Sequence, residues 1–283
     1  MTQGQVSSQL ARYFALSAEY RIVHHISQAG VALADLFNGT KPTLTHSFRH
    51  SGILMQLLFI HGSGATSTVW RYQSAFFSDA IAIDLPGRPE GECCTTIESA
   101  TAWLKAYVDQ RQLKDLVLVG HSLGTAIALK YALTYSESIK GMVLIGAGAR
   151  LRVHPDTLGF LEKAIENPEI FPEMFIDSWQ NVPANFAEDL RSEALKVGPA
   201  VYLNDMQSCD AFDVIAQLGN ISTPSLAITG TKDVMTPPKY AAFLRDRMPN
   251  TEATFIEGGT HFVFGEYPEQ VNDSIQQFLE KLA

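Results

Sequence analysis

Apolar residues after about residue 53 fall into six short runs, each ending at a glycine or aspartate turn. Within a run the apolar positions are continuous rather than alternating. That pattern is typical of parallel strands that helices cover on both faces of the sheet. The predicted strands are 54–60, 79–84, 116–120, 142–146, 225–230 and 253–258.

Helical stretches alternate with these strands, at roughly 96–111, 123–136, 237–247 and 267–282. Alternation of strands and helices implies right-handed crossovers between parallel strands. The pattern therefore predicts an α/β fold with an open, doubly wound, mostly parallel sheet. Sites in such sheets lie at the carboxyl ends of the strands.

About eighty residues between Gly146 and Ser225 contain no convincing strand, although they are rich in large apolar side chains. An unstructured loop of that length inside a domain is rare. We therefore predict a helical cap inserted into the fold. The predicted division is an N-terminal helical extension at 1–37, core segments at 38–149 and 213–283, and the cap at 150–212, with 43–48 as a further candidate strand.

Composition agrees with a globular protein that has one large core. The chain has 283 residues, of which 46% are hydrophobic and 18% are charged. A net charge of −9 argues against nucleic-acid binding and against binding to an anionic membrane surface. The longest charge-free stretch, 50–70, has an apolar core too short to span a bilayer.

Cysteine usage points to a reducing compartment. There are three cysteines, and two of them, Cys93 and Cys94, are adjacent. An odd number with this spacing does not form a disulfide framework, and no signal peptide is evident. We therefore expect a cytoplasmic protein. Spacings typical of zinc ligands do not occur, so no metal is expected.

The stretch VLVGHSLGTA places Ser122 between a predicted strand and a predicted helix, flanked by Gly120 and Gly124. This Gly-x-Ser-x-Gly pattern is typical of a nucleophile elbow, in which a strained turn exposes the serine hydroxyl. A cap serine on an ordinary strand-to-helix turn is the alternative. Five residues do not distinguish the two.

The partners of a serine nucleophile would follow in the order acid, then histidine. Asp233 lies in the loop after the predicted strand 225–230, and His261 lies in the loop after 253–258. Each is thus at the carboxyl end of a strand. This coincidence favours a catalytic triad of Ser122, Asp233 and His261.

A glycine-rich turn after the first predicted strand, His61-Gly62-Ser63-Gly64, can direct a backbone N–H at the same point. The second donor of an oxyanion hole would be the N–H of Leu123, the residue after the nucleophile. We therefore predict an oxyanion hole built from Leu123 and either Ser63 or Gly64. His61 itself is expected to bind nearby backbone.

The motifs FIHGSG, DLPG, GHSLG, GTKDVMTP and GGTHF together resemble the α/β-hydrolase superfamily, in its branch of capped serine esterases and carbon–carbon hydrolases. The resemblance covers about 53–283. It implies Ser122 as nucleophile, His261 as base and Asp233 as acid. It also implies Leu123, with Ser63 or Gly64, as oxyanion donors.

The function expected from these residues is that of a carboxylesterase-like serine hydrolase. It would cleave an ester, or a similar acyl bond, of a small and largely apolar substrate through an acyl-enzyme on Ser122, with no cofactor. A carbon–carbon bond hydrolase, lyase or perhydrolase with the same triad is the alternative. A ligand-binding or signalling protein with little turnover is an alternative of another class.

Four side chains are candidates for the substrate pocket: Phe175, Trp179, Met235 and Phe262. For Phe175 and Trp179, packing within the cap is the alternative. The expected partner is a small-molecule substrate, with no nucleic acid and no membrane, and the chain is expected to be a monomer or homodimer.

Overall fold

The structure is a computed structural model that describes residues 55–88 and 91–283. The predicted extension at 1–37 and the candidate strand at 43–48 lie outside the described residues. So does the first residue of the predicted strand 54–60. No helix in the described ranges is both long enough and apolar enough to cross a membrane.

Six parallel strands form one sheet, which confirms the predicted fold class. The strands are β1 (Gln56–Ile60), β2 (Ile81–Ile83), β3 (Leu116–His121), β4 (Ile139–Ile145), β5 (Ser225–Gly230) and β6 (Thr251–Ile256). Their order in the sheet is β2-β1-β3-β4-β5-β6. Every predicted strand is therefore present in the described part of the chain.

The helices are α1 (Arg71–Phe76), α2 (Ile97–Gln110), α3 (Leu123–Tyr135), α4 (Pro155–Glu166), α5 (Ala184–Ala211), α6 (Pro238–Arg247), α7 (Val263–Glu266) and α8 (Pro268–Leu282). Helices α2, α3, α6 and α8 confirm the four helical predictions. The longest 3-10 helix of the described residues is Pro168–Phe175.

Both faces of the central strands β1, β3, β4 and β5 are buried, which explains why these strands are mostly apolar, whereas the edge strand β6 is largely half-exposed or exposed. Side chains alternate between the faces of a strand. Leu58 and Ile60 of β1 pack in one apolar cluster with side chains of α2, α3 and α6. Leu57 and Phe59 pack in the opposite cluster with side chains of α8.

Most strand boundaries differ from the prediction by one to three residues, and local turn residues explain two of these differences. Strand β4 begins at Ile139, three residues before the predicted start at 142, since the exposed Lys140 and the following Gly141 interrupt the apolar run. Strand β6 ends at Ile256, and Gly258 then takes a φ of +79° in the following turn.

Helices α4 and α5 and the 3-10 helix Pro168–Phe175 lie between β4 and β5. We call this segment, 155–211, the helical insertion. It has an apolar cluster of its own, with Leu161 and Phe171 among its buried members. Helix α5 is interrupted at Gly198, where φ is 81° and ψ is 166°. The predicted cap boundaries at 150 and 212 stay a prediction.

The strand order places a crevice at the end of β1 and β3. The chain passes from β1 to β2 on one side and then to β3 on the other, and such a switch point is where open α/β sheets bind ligands. Ile60 of β1 pairs with Gly120 of β3 in the sheet register. The loops that follow these two strands therefore begin side by side.

Candidate active site

Ser122 lies between the last residue of β3 and the first residue of α3, with φ 51° and ψ −114°. A positive φ is uncommon for a residue with a side chain, and such strain often marks functional sites. The Ser122 N–H donates to the Ile145 carbonyl at 3.0 Å, which ties the turn to β4. The side chain is half-buried.

The two glycines of the elbow are required by close backbone contacts. A Cβ on Gly120 would lie 2.4 Å from the Gly124 oxygen. A Cβ on Gly124 would lie 2.3 Å from the Ile60 oxygen. Helix α3 can therefore begin directly against β1 and β3 only because both positions lack a side chain.

Asp233 and His261 form a buried hydrogen-bonded pair. His261 Nδ1 and Asp233 Oδ2 are 2.8 Å apart, and the two residues are 5% and 3% exposed. The other carboxylate oxygen, Oδ1, accepts the N–H groups of Met235 and Thr236 at 2.9 and 2.8 Å. Because an ionised carboxylate only accepts, Nδ1 carries the imidazole proton and donates it to Asp233.

Asp233 keeps a negative charge despite its burial. Burial opposes ionisation, but the hydrogen bond and charge of His261 and the donors of Thr236 outweigh it, so the pKa of Asp233 is lowered. The Thr236 hydroxyl contributes a donor to Oδ2 at 2.7 Å. Sequence reasoning missed Thr236, although an Asp-x-x-Thr stretch before two prolines is a signal for a side-chain-capped turn.

His261 is presented beside the elbow with a free nitrogen. Its Nε2 is buried and has no hydrogen-bond partner in the ranges 55–88 and 91–283. A Cβ on Gly146 would lie 3.0 Å from His261 Cε1, so this glycine packs directly against the imidazole. Gly146 follows Ile145, whose carbonyl binds the Ser122 N–H, so Ser122 and His261 contact one segment of chain.

His121, the residue before the elbow serine, anchors the loop that holds His261. Its Nε2 donates to the His261 carbonyl at 3.0 Å, and the two ring centroids are 4.8 Å apart. Burial, together with the charge of His261, lowers the pKa of His121 well below its ordinary value, so the ring is neutral. No motif in the sequence predicted this role for His121.

The turn at 62–65, which follows β1, lies against the elbow. A Cβ on Gly62 would be 3.2 Å from Ser122 Cβ. The N–H of Gly64 donates to Asp205 Oδ2 at 2.9 Å and is therefore already occupied. Within the described residues the N–H groups of Ser63 and Leu123 have no acceptor, which leaves these two as the candidate oxyanion donors.

Three of the four predicted pocket side chains form a continuous aromatic wall. Trp179 stacks on Phe175 with centroids 5.3 Å apart and contacts Phe262 edge-on at 5.6 Å. The ring of Phe262 in turn lies 5.8 Å from that of His261. Met235 is 53% exposed and does not join this wall.

His61 is held by backbone on both ring nitrogens, as expected for a structural histidine. Nδ1 donates to the Gly62 carbonyl at 2.9 Å, and Nε2 accepts the Leu85 N–H at 3.1 Å. Burial, followed by the charge of Arg88, lowers the pKa of His61 to about 3. In the part of the chain that the structure describes, no three His, Cys, Asp or Glu side chains are arranged to hold a metal ion.

Stability is expected to fall as the pH is lowered through the range between the unfolded and folded pKa values of His61. The unfolded histidine binds a proton below about pH 6.5, whereas the folded one stays neutral until about pH 3. From pH 7 to pH 4.5 this single group is expected to cost about 3 kcal/mol of unfolding free energy.

Urea unfolding at several pH values measures this effect. His61→Gln removes the titrating group, so the pH dependence is expected to become shallower by about one proton. An unchanged slope in the variant would contradict the proposed neutral state of His61. The comparison uses slopes, because the substitution also lowers stability at neutral pH.

A sequence model of the alpha/beta hydrolase family matches residues 57–274, a span that contains Ser122, Asp233 and His261. The chain belongs to the alpha/beta hydrolase family. Membership confirms the resemblance drawn from the five sequence motifs.

Two curated relatives of this hydrolase have assigned reactions. The (E)-2-((N-methylformamido)methylene)succinate hydrolase of Acinetobacter baylyi is 26% identical over 245 residues, covering 79% of this chain and 90% of the relative. The pimeloyl-[acyl-carrier protein] methyl ester esterase of Yersinia enterocolitica is 22% identical over 247 residues, covering 80% and 93%. The relatives thus include an esterase and another hydrolase.

Among solved structures, a thermophilic esterase is 31% identical to this hydrolase with a TM-score of 0.69. The match covers 80% of this chain and 90% of that one. The comparison therefore agrees with the alpha/beta hydrolase fold of this chain.

Proposed function

We propose that this protein is a serine hydrolase that cleaves a carboxylic ester of a small, largely apolar acid through an acyl-enzyme on Ser122. The observation that carries the proposal is the buried His261, whose Nδ1 is bound to Asp233 while its Nε2 is free beside the strained elbow. A base of this kind is what a serine hydroxyl needs in order to attack a carbonyl.

In the first step the Ser122 hydroxyl transfers its proton to His261 Nε2 while Oγ attacks the ester carbonyl. The carbonyl π bond becomes the lone pair of an oxyanion, and the imidazole becomes positively charged. Asp233, ionised and bound to Nδ1, stabilises that charge and fixes the imidazole tautomer.

The oxyanion would be bound by the N–H groups of Leu123 and Ser63, which flank the elbow from α3 and from the turn at 62–65. The Leu123 N–H is the first of a 13-residue helix, so the helix dipole also favours negative charge there. Loss of one such donor costs about 3 kcal/mol of transition-state stabilisation in other enzymes.

Collapse of the tetrahedral intermediate breaks the ester C–O bond, and the leaving alcohol takes the proton from His261. Water then attacks the acyl-enzyme, giving its proton to Nε2, and the second collapse releases the acid and restores the Ser122 hydroxyl. The two half-reactions use the same residues and need no redox partner.

The aromatic wall supports an apolar acyl group. Phe262 lies next to His261, Trp179 packs on Phe262, and the buried Phe175 supports Trp179 from behind. The names of two relatives, a methyl ester esterase and a thermophilic esterase, favour an ester over other acyl bonds.

The test is to incubate the protein with a fluorophosphonate probe and with p-nitrophenyl esters of rising chain length. We expect covalent labelling on Ser122 and turnover of short to medium acyl chains. Ser274→Ala is a matched control, because Ser274 lies on the exposed face of α8 and its hydroxyl binds only the Gln270 carbonyl. Labelling of this variant is expected to equal that of the wild type.

The two readouts separate the candidate functions. A protein that is neither labelled nor active on any ester would contradict the proposal. Labelling without ester turnover would instead favour carbon–carbon bond hydrolysis, or a binding function with little turnover.

A further inference from the structure

One face of the second half of α5 lies on the turn at 62–65. Tyr202, Asp205 and Cys209 are spaced by three and four residues, so they share a face of the helix. Each contacts the turn. A Cβ on Gly64 would lie 1.6 Å from Tyr202 Cδ2, and Ser63 Oγ is 3.6 Å from Cys209 Sγ.

Asp205 makes the central contact of this face. It is 4% exposed, accepts the Gly64 N–H at 2.9 Å, and pairs with the guanidinium of Arg88. Arg88 is 8% exposed and also donates through Nε to the Ala65 carbonyl at 2.8 Å. Asp205 thus binds an N–H group of the turn, and Arg88 binds a carbonyl group of the turn. We call this network the Asp205 bridge.

The bridge joins three separate parts of the chain. Asp205 belongs to the helical insertion, Arg88 follows β2, and Gly64 follows β1. Neither ion-pair partner reaches solvent appreciably, so the pair interacts in a region of low dielectric, where charges strengthen hydrogen bonds. Breaking such a pair on one side leaves a buried charge without its partner.

We propose that Asp205 is a positioning residue that holds the turn at 62–65 in the shape that presents the Ser63 N–H to the oxyanion, an inference that rests on the proposed function. Asp205 occupies the Gly64 N–H and so fixes the peptide plane next to it. The neighbouring Ser63 N–H is left without an acceptor in the described residues. The helical insertion thereby determines the geometry of the oxyanion hole as well as covering the site.

The positive φ of Gly64, +62°, is consistent with this arrangement. A glycine adopts that conformation without a Cβ penalty, but it also adopts many others, so an external contact must select one. The Tyr202 ring and the Asp205 carboxylate supply that contact. Without them the turn is expected to sample conformations that withdraw the Ser63 N–H.

The test compares Asp205→Ala with Asp189→Ala. Asp189 is also on α5 and also pairs with an arginine outside the helical insertion, Arg71, but this ion pair is partly exposed and makes no hydrogen bond to the turn. Three readouts are made: steady-state kinetics with p-nitrophenyl butyrate, inhibition by butylboronic acid, and hydrogen exchange of the 61–66 segment. The boronate forms a tetrahedral adduct and so reports on the oxyanion hole.

For Asp205→Ala we expect kcat to fall at least about tenfold with KM changed less than about threefold, because the lost interaction acts in the transition state. Boronate affinity is expected to fall in parallel, and exchange in 61–66 to speed up. Asp189→Ala is expected to leave the kinetic constants, the boronate affinity and the exchange rate of 61–66 near the wild-type values. Asp205→Asn is expected to restore much of the exchange protection and part of kcat, since its amide oxygen can accept the Gly64 N–H.

An Asp205→Ala variant that is folded and keeps kcat within about twofold, or keeps its 61–66 protection, would overturn the inference alone. If Asp205→Ala does not fold, Arg88→Met/Asp205→Ala removes the unpaired charge and is judged by the same criteria. A wild type that is neither labelled nor active overturns the proposed function and this inference together.

Discussion

Replacing Ser122 by alanine is expected to lower kcat for p-nitrophenyl butyrate by about 10⁴- to 10⁶-fold and to abolish fluorophosphonate labelling. In the proposed mechanism the hydroxyl is the part of the residue that forms the bond to the acyl carbon. The turn itself is retained, because it depends on the Ser122 N–H bond to the Ile145 carbonyl and on the flanking glycines.

Substrate binding is expected to survive in Ser122→Ala. The aromatic wall and the oxyanion donors do not depend on the hydroxyl, so the variant should still bind a product carboxylate. Intact-protein mass spectrometry after probe treatment measures the loss of labelling, and steady-state kinetics measure the loss of kcat. Retention of more than about a tenth of wild-type kcat would contradict the role of Ser122 as nucleophile.

Ser122→Gly is the matched control for folding. Glycine adopts φ 51° and ψ −114° without the Cβ strain that serine and alanine carry. The glycine variant is therefore expected to be about 1 kcal/mol more stable than the alanine variant, yet equally inactive. Inactivity with unimpaired stability would show that the lost activity is chemical in origin.

The sequence predicted the sheet well because its signals are local. Both faces of the central strands are covered, so apolar runs marked β1, β3, β4 and β5 most clearly, and shorter apolar runs marked the edge strands β2 and β6. The elbow was equally readable, because Gly120 and Gly124 are required by contacts within a single strand-to-helix turn. Errors were confined to strand ends such as Ile139 and Ile256, where turn residues set the boundary.

Apart from Thr236, which binds Asp233 three residues away, the parts of the candidate site that escaped prediction are long-range contacts. Arg88 and Asp205 are separated by 117 residues, and neither is marked by any motif. The same holds for the His121 bond to the loop of His261, 140 residues away. Such pairs depend on how the helical insertion and the final loop pack, which short-range periodicity does not encode.

Asp233→Asn is expected to lower kcat by about 10⁴-fold, even though it preserves shape and removes only one charge. The loss is expected because the hydrogen bonds around residue 233 determine which atom of the new amide faces the imidazole. Oδ1 of Asp233 accepts two backbone N–H groups, those of Met235 and Thr236, and in asparagine only the carbonyl oxygen can do so. The amide nitrogen then takes the place of Oδ2, opposite His261.

An amide nitrogen in that position donates to His261 Nδ1, so the imidazole proton moves to Nε2 and the ring can no longer accept the Ser122 proton.

Thr236→Val is the matched control. It removes one hydroxyl donor to Oδ2 but leaves the carboxylate, so a loss of less than about tenfold is expected. Steady-state kinetics on both variants, with circular dichroism to verify folding, decide the question. Equal losses in the two variants would mean that Asp233 acts as packing and hydrogen-bond support rather than as the group that fixes the tautomer of His261.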